Sequence, residues 1–181
     1  MRVIGGEFRS RVLKSVPGLD TRPTPDRLRE ALFSILSPRI EGAVFADLYA
    51  GTGAVGIEAL SRGASRAMFA ELSRPAVMVI RDNLKTLGIE SRADVRQSKA
   101  TALAPKLHAD IVFLDPPYKL ENDYSIVLHA LEGSSLVIAQ HDVRFNLADK
   151  YGQLHRTRTL RQGDNSLSFY EPNATIDTAG A

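Results

Sequence analysis

Between residues 43 and 139 the chain alternates short apolar runs with stretches of helical periodicity, and few folds accommodate that pattern. The runs are Val44–Leu48, Ala67–Glu71, Ala93–Gln97, Ile111–Asp115 and Ser135–Ala139. Between them, Val55–Arg62, Pro75–Leu87, Ala100–Leu107 and Tyr124–Leu131 read as helices, with Gly63 and Gly88 at the C′ positions of the first two. Strands separated by helices pair in parallel and need cover on both faces. Upstream, Leu28, Leu32, Ile35 and Leu36 form one face of a helix that Thr24 caps, Pro25 opens and Pro38 ends. Downstream, Leu154–Leu160 and Ser166–Tyr170 flank Gln162-Gly163-Asp164-Asn165, a hairpin signal. The expectation is an α/β fold with seven strands, mostly parallel, whose last pair is antiparallel. Val3-Ile4 and Arg11-Val12-Leu13, either side of Gly5-Gly6, read as a small hairpin or irregular extension. The chain therefore divides into a basic extension over 1–23, a main domain over 24–172 and a polar tail over 173–181, expected to be disordered.

At the end of the first strand, Asp47-Leu48-Tyr49-Ala50-Gly51-Thr52-Gly53-Ala54-Val55-Gly56 opens a helix. Gly51, Gly53 and Gly56 fit a nucleotide-binding fingerprint, and Glu71 stands at the end of the second strand, where a carboxylate accepts hydrogen bonds from a ribose diol. Two cofactor classes share these mechanics. A pyrophosphate at the helix N-terminus disfavours a neighbouring carboxylate, whereas the ammonium of a methionine-type ligand welcomes one. Asp47 therefore favours S-adenosylmethionine over NAD.

Composition closes other branches. Cys is absent, which excludes thiolate zinc sites, iron–sulfur clusters and Cys nucleophiles. His108, His129, His141 and His155 show no metal-ligand spacing, so no metal is expected. No apolar run approaches the ~20 residues of a membrane span, and the first residues carry no signal-peptide pattern. A cytoplasmic protein is expected. The net charge is only +2, but residues 1–39 hold eight basic against four acidic side chains, and Arg156, Arg158 and Arg161 form a second cluster. Two arginine-rich segments flanking a more acidic middle suit a polyanionic partner.

The segment Ile111–Tyr118 narrows the chemistry. An apolar run ends in Asp115 at the sheet edge where ligands of open α/β folds bind. Pro116 and Pro117 fix the backbone beyond it, and Tyr118 follows. The nitrogen of an exocyclic base amine is a poor nucleophile because its lone pair is delocalised into the ring. Two acceptors on its N–H groups, the Asp115 carboxylate and the Pro116 carbonyl, would localise that pair. Tyr118 would stack on the extruded base, a contact worth about 1–3 kcal/mol, against the few kcal/mol that unstacking costs. The site so read is catalytic at Asp115, Pro116 and Tyr118, and binds cofactor through Asp47, Tyr49, Gly51, Gly53, Glu71, Ser98 and Ala100.

These motifs resemble the bacterial family that methylates the 2-amino group of a guanine in small-subunit (16S) ribosomal RNA, the RsmD type. The resemblance covers roughly residues 2–170. It rests on Arg2-Val3-Ile4-Gly5-Gly6, Arg22-Pro23-Thr24-Pro25-Asp26-Arg27-Leu28-Arg29-Glu30-Ala31-Leu32-Phe33, Asp47–Gly53, Glu58–Ala64 and Asp115–Tyr118. It implies a Rossmann-like class I methyltransferase fold, S-adenosylmethionine as cofactor, and ribosomal RNA or an assembling small subunit as partner of a monomeric enzyme. It also implies RNA contacts from Arg9, Arg11, Arg22, Thr24 and Arg27. The chain departs from the family at Ser34, at Lys99 and at Gln140-His141, where Glu-His is common. A lysine cannot accept the adenine amine, so backbone near Ser98 and Ala100 is expected to hold that ring. The alternatives are a DNA adenine amino-methyltransferase, for which 181 residues leave little room for target recognition, a NAD-dependent oxidoreductase and a non-catalytic RNA-binding module.

Overall fold

The computed structural model describes residues 1–16, 24–131 and 136–173. Arg22, Pro23, Ser135 and residues 174–181, on which parts of the sequence reading fall, lie outside them. Helix α1 (Asp26–Ile40) is followed by β1 (Val44–Leu48), α2 (Ala54–Ser61), β2 (Arg66–Glu71), α3 (Arg74–Leu87), β3 (Ala93–Gln97), α4 (Ala100–Leu103), β4 (Ile111–Leu114), α5 (Asn122–Ala130) and β5 (Leu136–Asp142). The chain then forms β6 (Lys150–Tyr151), β7 (Leu154–Gln162) and β8 (Asn165–Pro172). All eight strands make one sheet in the order β3-β2-β1-β4-β5-β8-β7-β6. The pairs from β3 through to β5 are parallel, and β5–β8, β8–β7 and β7–β6 are antiparallel.

Period-2 alternation divides the central strands between two cores. Ala46, Leu48, Val112, Leu114, Val137 and Ala139 face α4 and α5, while Phe45, Ile111, Phe113, Leu136 and Ile138 face α1. Covered on both faces, β4 is buried at every position. Because chain order reverses between β1 and β4, a crevice opens at their C-terminal ends.

Several boundaries differ from the sequence reading. Pro38 lies inside α1, which continues to Ile40 because Ile40 is buried at 4% exposure under the sheet. Thr24 does not cap this helix; Pro25 occupies the N-cap without a side-chain bond, and the Thr24 hydroxyl turns to Gln140 instead. The helix expected over Ala100–Leu107 shortens to α4 and a 3-10 turn over Ala104–Lys106, since Pro105 removes an amide donor. Strand β5 runs three residues past Ala139, because Gln140, His141 and Asp142 pair with Leu167, Ser166 and Asn165 of β8. The eighth strand is β6, two residues long and without a periodic signal.

The N-terminal extension packs into a third apolar cluster. Arg2 and Val12 form an antiparallel bridge, and Val3 and Leu13 pack with Ile57, Leu60, Phe69 and Ile80. The fully buried Glu58 of α2 accepts the Ile4 and Gly5 amides, each at 2.8 Å, and the Arg62 guanidinium at 2.7 Å. Buried Arg29 of α1 donates to the Arg2 carbonyl at 2.7 Å and to Asp26 at 3.0 Å. Among the described residues no helix is long and apolar enough to cross a membrane.

Candidate active site

The crevice is a cleft of about 1040 Å3, lined by residues from the C-terminal ends of β1, β2, β4 and β5 and the loops that follow them. Its cofactor half is built on carboxylates that hold backbone. Asp47, buried at 2% exposure, accepts the Gly56 amide at 2.9 Å and so fixes the start of α2 against β1. Burial drives its pKa up to about 7, the Gly56 bond opposes that rise, and the nearby Asp115 and Glu71 charges add to it. A ligand ammonium beside Asp47 would supply the missing counter-charge. Glu71 accepts the Gly51 amide at 2.8 Å and the Ser73 amide at 2.8 Å, one on each oxygen. The spare lone pairs of a carboxylate so clamped remain for a diol.

Between these carboxylates runs the glycine loop. Gly51 adopts a φ of +57°, and an added Cβ there would meet nothing within 4 Å, so its backbone is open to a ligand. Gly56 serves close packing, since a Cβ would stand 2.3 Å from the Phe69 ring. Gly53, expected to bind cofactor, is the left-handed N-cap of α2, with its amide on the Ala50 carbonyl, and does not line the cleft. Tyr49 lines it, at a left-handed φ of +67° that is uncommon outside glycine, and donates its hydroxyl to Asp123 at 2.7 Å. Ser98, Lys99 and Ala100 form the wall at the start of α4, with the Ser98 amide on the Glu71 carbonyl at 3.1 Å. This set of paired carboxylates, exposed loop backbone and adjacent wall fits S-adenosylmethionine, which carries an ammonium, a ribose diol and an adenine.

Across the cleft stand Asp115, Pro116 and Tyr118, all lining it. Asp115 lies one residue past β4, and no hydrogen-bond partner for its carboxylate is found among the described residues. Burial raises its pKa to about 7 although the residue borders an open cleft. Tyr118 is 59% exposed at the mouth, with Leu120 and Ile126 also exposed beside it. An acceptor without a donor, beside an apolar rim, is an arrangement suited to a planar base bearing N–H groups.

The residues assigned to RNA separate. Thr24 lines the cleft, while Arg9, Arg11 and Arg27 are exposed outside its lining, and Arg22 lies outside the described residues. The sequence reading gave no site role to Tyr124, Gln140 and His141, all of which line the cleft. The Tyr124 hydroxyl, its pKa raised mainly by burial, donates to the Gln140 carbonyl, and Thr24 donates to the Gln140 side chain at 3.2 Å. His141 shares a 2.9 Å bond with the Ser168 hydroxyl, and burial lowers its pKa. Polar residues ending an apolar strand are the signal that marked Asp47 and Asp115, and Gln140-His141 carries it too.

Known proteins place this geometry. A profile of the family described as "Conserved hypothetical protein 95" matches residues 1–171. YlbH of Bacillus subtilis (strain 168), provisionally named an rRNA methyltransferase, is 35% identical over 181 residues, covering 94% of this chain and 98% of that protein. "Ribosomal RNA small subunit methyltransferase D" of Escherichia coli (strain K12) is 41% identical over 120 residues, covering 66% of this chain and 61% of that one. The solved structure of yhhF from Escherichia coli, provisionally titled a methyltransferase, superposes with a TM-score of 0.85 at 32% identity, covering 96% of this chain and 98% of that one. With its α/β methyltransferase fold and its cofactor cleft, the chain belongs to the Conserved hypothetical protein 95 family, the RsmD type of S-adenosylmethionine-dependent methyltransferase.

Proposed function

We propose that the protein methylates the exocyclic 2-amino group of a guanine in small-subunit ribosomal RNA, at the cleft between β1 and β4. The observation that carries this reading is the Asp115 carboxylate, unpartnered among the described residues, facing the cofactor half of the same cleft. S-adenosylmethionine, when bound, supplies an electrophilic methyl group. Asp47 pairs with its ammonium, Glu71 with its ribose diol, and backbone near Ser98 and Ala100 holds the adenine.

The rest is done by the substrate half. Asp115 and the Pro116 carbonyl accept the two N–H groups of the amine and localise its lone pair toward the methyl donor. Tyr118 stacks on the base and offsets the cost of extruding it. As the nitrogen gains a methyl group it must lose a proton, and the ionised Asp115 carboxylate is placed to take it. Positioning and a preorganised cleft supply most of the acceleration. Arg9, Arg11, Arg22 and Arg27 contact phosphates, with Thr24 at the cleft wall. We place the reaction in the cytoplasm, with a monomer acting on ribosomal RNA or an assembling subunit, residues 24–172 as the methyltransferase domain and residues 1–23 as its extension.

The test is transfer of tritiated methyl from S-adenosylmethionine to small subunits, purified ribosomal RNA and duplex DNA from a strain lacking this gene. Label recovered as 2-methylguanosine from the small subunit or its RNA supports the proposal. Label recovered as methyladenine from DNA replaces it with the DNA amino-methyltransferase reading.

A further inference from the structure

The wall of the cleft beside Asp115 is a carboxamide rather than a charge. Gln140 follows Ala139 on β5, and Ala139 is in register with Leu114, the residue before Asp115 on β4. Parallel partners in register project to the same face of a sheet, so Gln140 and Asp115 stand side by side on the edge of the α1 face. Gln140 is 5% exposed and lines the cleft. It is held at three points: its backbone pairs with Leu167 of β8, its carbonyl accepts the Tyr124 hydroxyl, and its side-chain Oε1 accepts the Thr24 hydroxyl at 3.2 Å. The amide nitrogen, Nε2, makes no hydrogen bond among the described residues and is not sealed from solvent. A carbonyl oxygen has two lone pairs, so Oε1 can accept a second hydrogen bond while Nε2 donates one.

We infer that Gln140 is a specificity-determining residue, which reads the N1–H and O6 groups of the target guanine while Asp115 and Pro116 hold its 2-amino group. This rests on the function proposed above. The three guanine groups are consecutive along one edge: amine donor, N1–H donor, O6 acceptor. The wall offers a matching sequence: carboxylate acceptor, Oε1 acceptor, Nε2 donor. Adenine presents amine donor then N1 acceptor, which leaves Oε1 facing a lone pair. A glutamate, common at this position in the family, would accept N1–H alone, and the carboxamide of this chain adds a donor for O6. Bidentate pairing of this kind discriminates against a base lacking the groups by roughly tenfold to a hundredfold. Thr24 and Tyr124 act as positioning residues, because they fix the plane in which the carboxamide lies.

The experiment uses small subunits reconstituted with ribosomal RNA carrying either guanine or 2-aminopurine at the nucleotide that the wild-type enzyme modifies. 2-Aminopurine keeps the 2-amino group and lacks N1–H and O6. The wild-type protein is expected to favour guanine at least tenfold in kcat/KM. Gln140→Met, which keeps the side-chain volume, is expected to bring that ratio near unity, with S-adenosylmethionine affinity unchanged within twofold. Gln140→Glu, which retains packing and the acceptor, is expected to fall between them. A Gln140→Met enzyme that keeps the full preference overturns the assignment of Gln140 while leaving the proposed function standing. A wild-type enzyme that methylates both bases equally overturns edge reading altogether. A wild-type enzyme that labels neither particle overturns the proposed function, and this inference falls with it.

Discussion

Replacing Gly56 by alanine separates two meanings of a glycine-rich loop. An added Cβ would stand 2.3 Å from Cε1 of Phe69, with Cζ at 2.8 Å and Cδ1 at 3.0 Å, so a whole ring edge blocks it. The ring cannot swing away, because Phe69 is fully buried among Ile57, Leu60, Ile80 and Leu84. It also stands 3.4 Å from where a Cβ on Gly53 would be. Overpacking a closed core costs about 1–3 kcal/mol. Alanine inside a helix returns about 0.5–1 kcal/mol through propensity, so the net loss is about 1–2 kcal/mol. For a chain of this size that lowers Tm by roughly 2–8 °C. The backbone that must retreat carries the amide bonded to Asp47 at 2.9 Å, so S-adenosylmethionine affinity should fall with stability. Thermal unfolding and calorimetry of Gly56→Ala, alone and with Phe69→Leu, test both effects. The ring truncation should recover most of the Tm lost to the Cβ. A Gly56→Ala protein as stable as the parent, or a double variant showing no recovery, refutes the steric argument.

Three further outcomes are expected. Asp115→Ala should keep the fold and S-adenosylmethionine binding while methyl transfer drops at least about a hundredfold, the scale of a lost acid–base group; full turnover in a radiolabel assay would refute its role. Since burial raises the native pKa of Asp115 to about 7 while the unfolded chain titrates near 3.8, the native state binds the extra proton between those values. The stability this contributes is present below about pH 4 and is lost as pH rises through 7. Asp115→Asn should therefore gain Tm relative to the parent on going from pH 5 to pH 8, and a constant difference would contradict the buried carboxyl. Glu58→Ala orphans the Ile4 and Gly5 amides and should expose the first residues to limited proteolysis while β1 to β5 stay protected; an equally resistant extension would show that Glu58 is not its anchor.

The parallel sheet and both halves of the cleft were legible because strand ends and periodicity are local. Glu71 and Asp115 each terminate an apolar run, Asp47 lies one residue from the end of another, and the fold brings such ends together. What escaped depends on distant partners. Pro38 sits inside α1 because the burial of Ile40 outweighs a missing amide. Thr24 reads as a cap from its neighbours, yet its partner is Gln140, 116 residues away. Gly53 and Gly56 satisfy a ligand fingerprint, but their duties are a helix start and room for Phe69, a residue in β2. A motif records which positions need glycine without recording what approaches them.

The antiparallel pairing of β8 with β5 has a consequence for the order in which the enzyme becomes competent. The carboxylates, glycine loop and wall assigned to the cofactor lie within residues 47–101, whereas Gln140 and His141 are pinned through β8, where their partners are Leu167 and Ser166. During synthesis the ribosome must release the final hairpin before the base-facing wall can close. The half proposed to bind cofactor thus has its named residues some seventy positions earlier than the half proposed to meet the base. The residues proposed to hold the cofactor therefore leave the ribosome before the strand that pins Gln140 and His141.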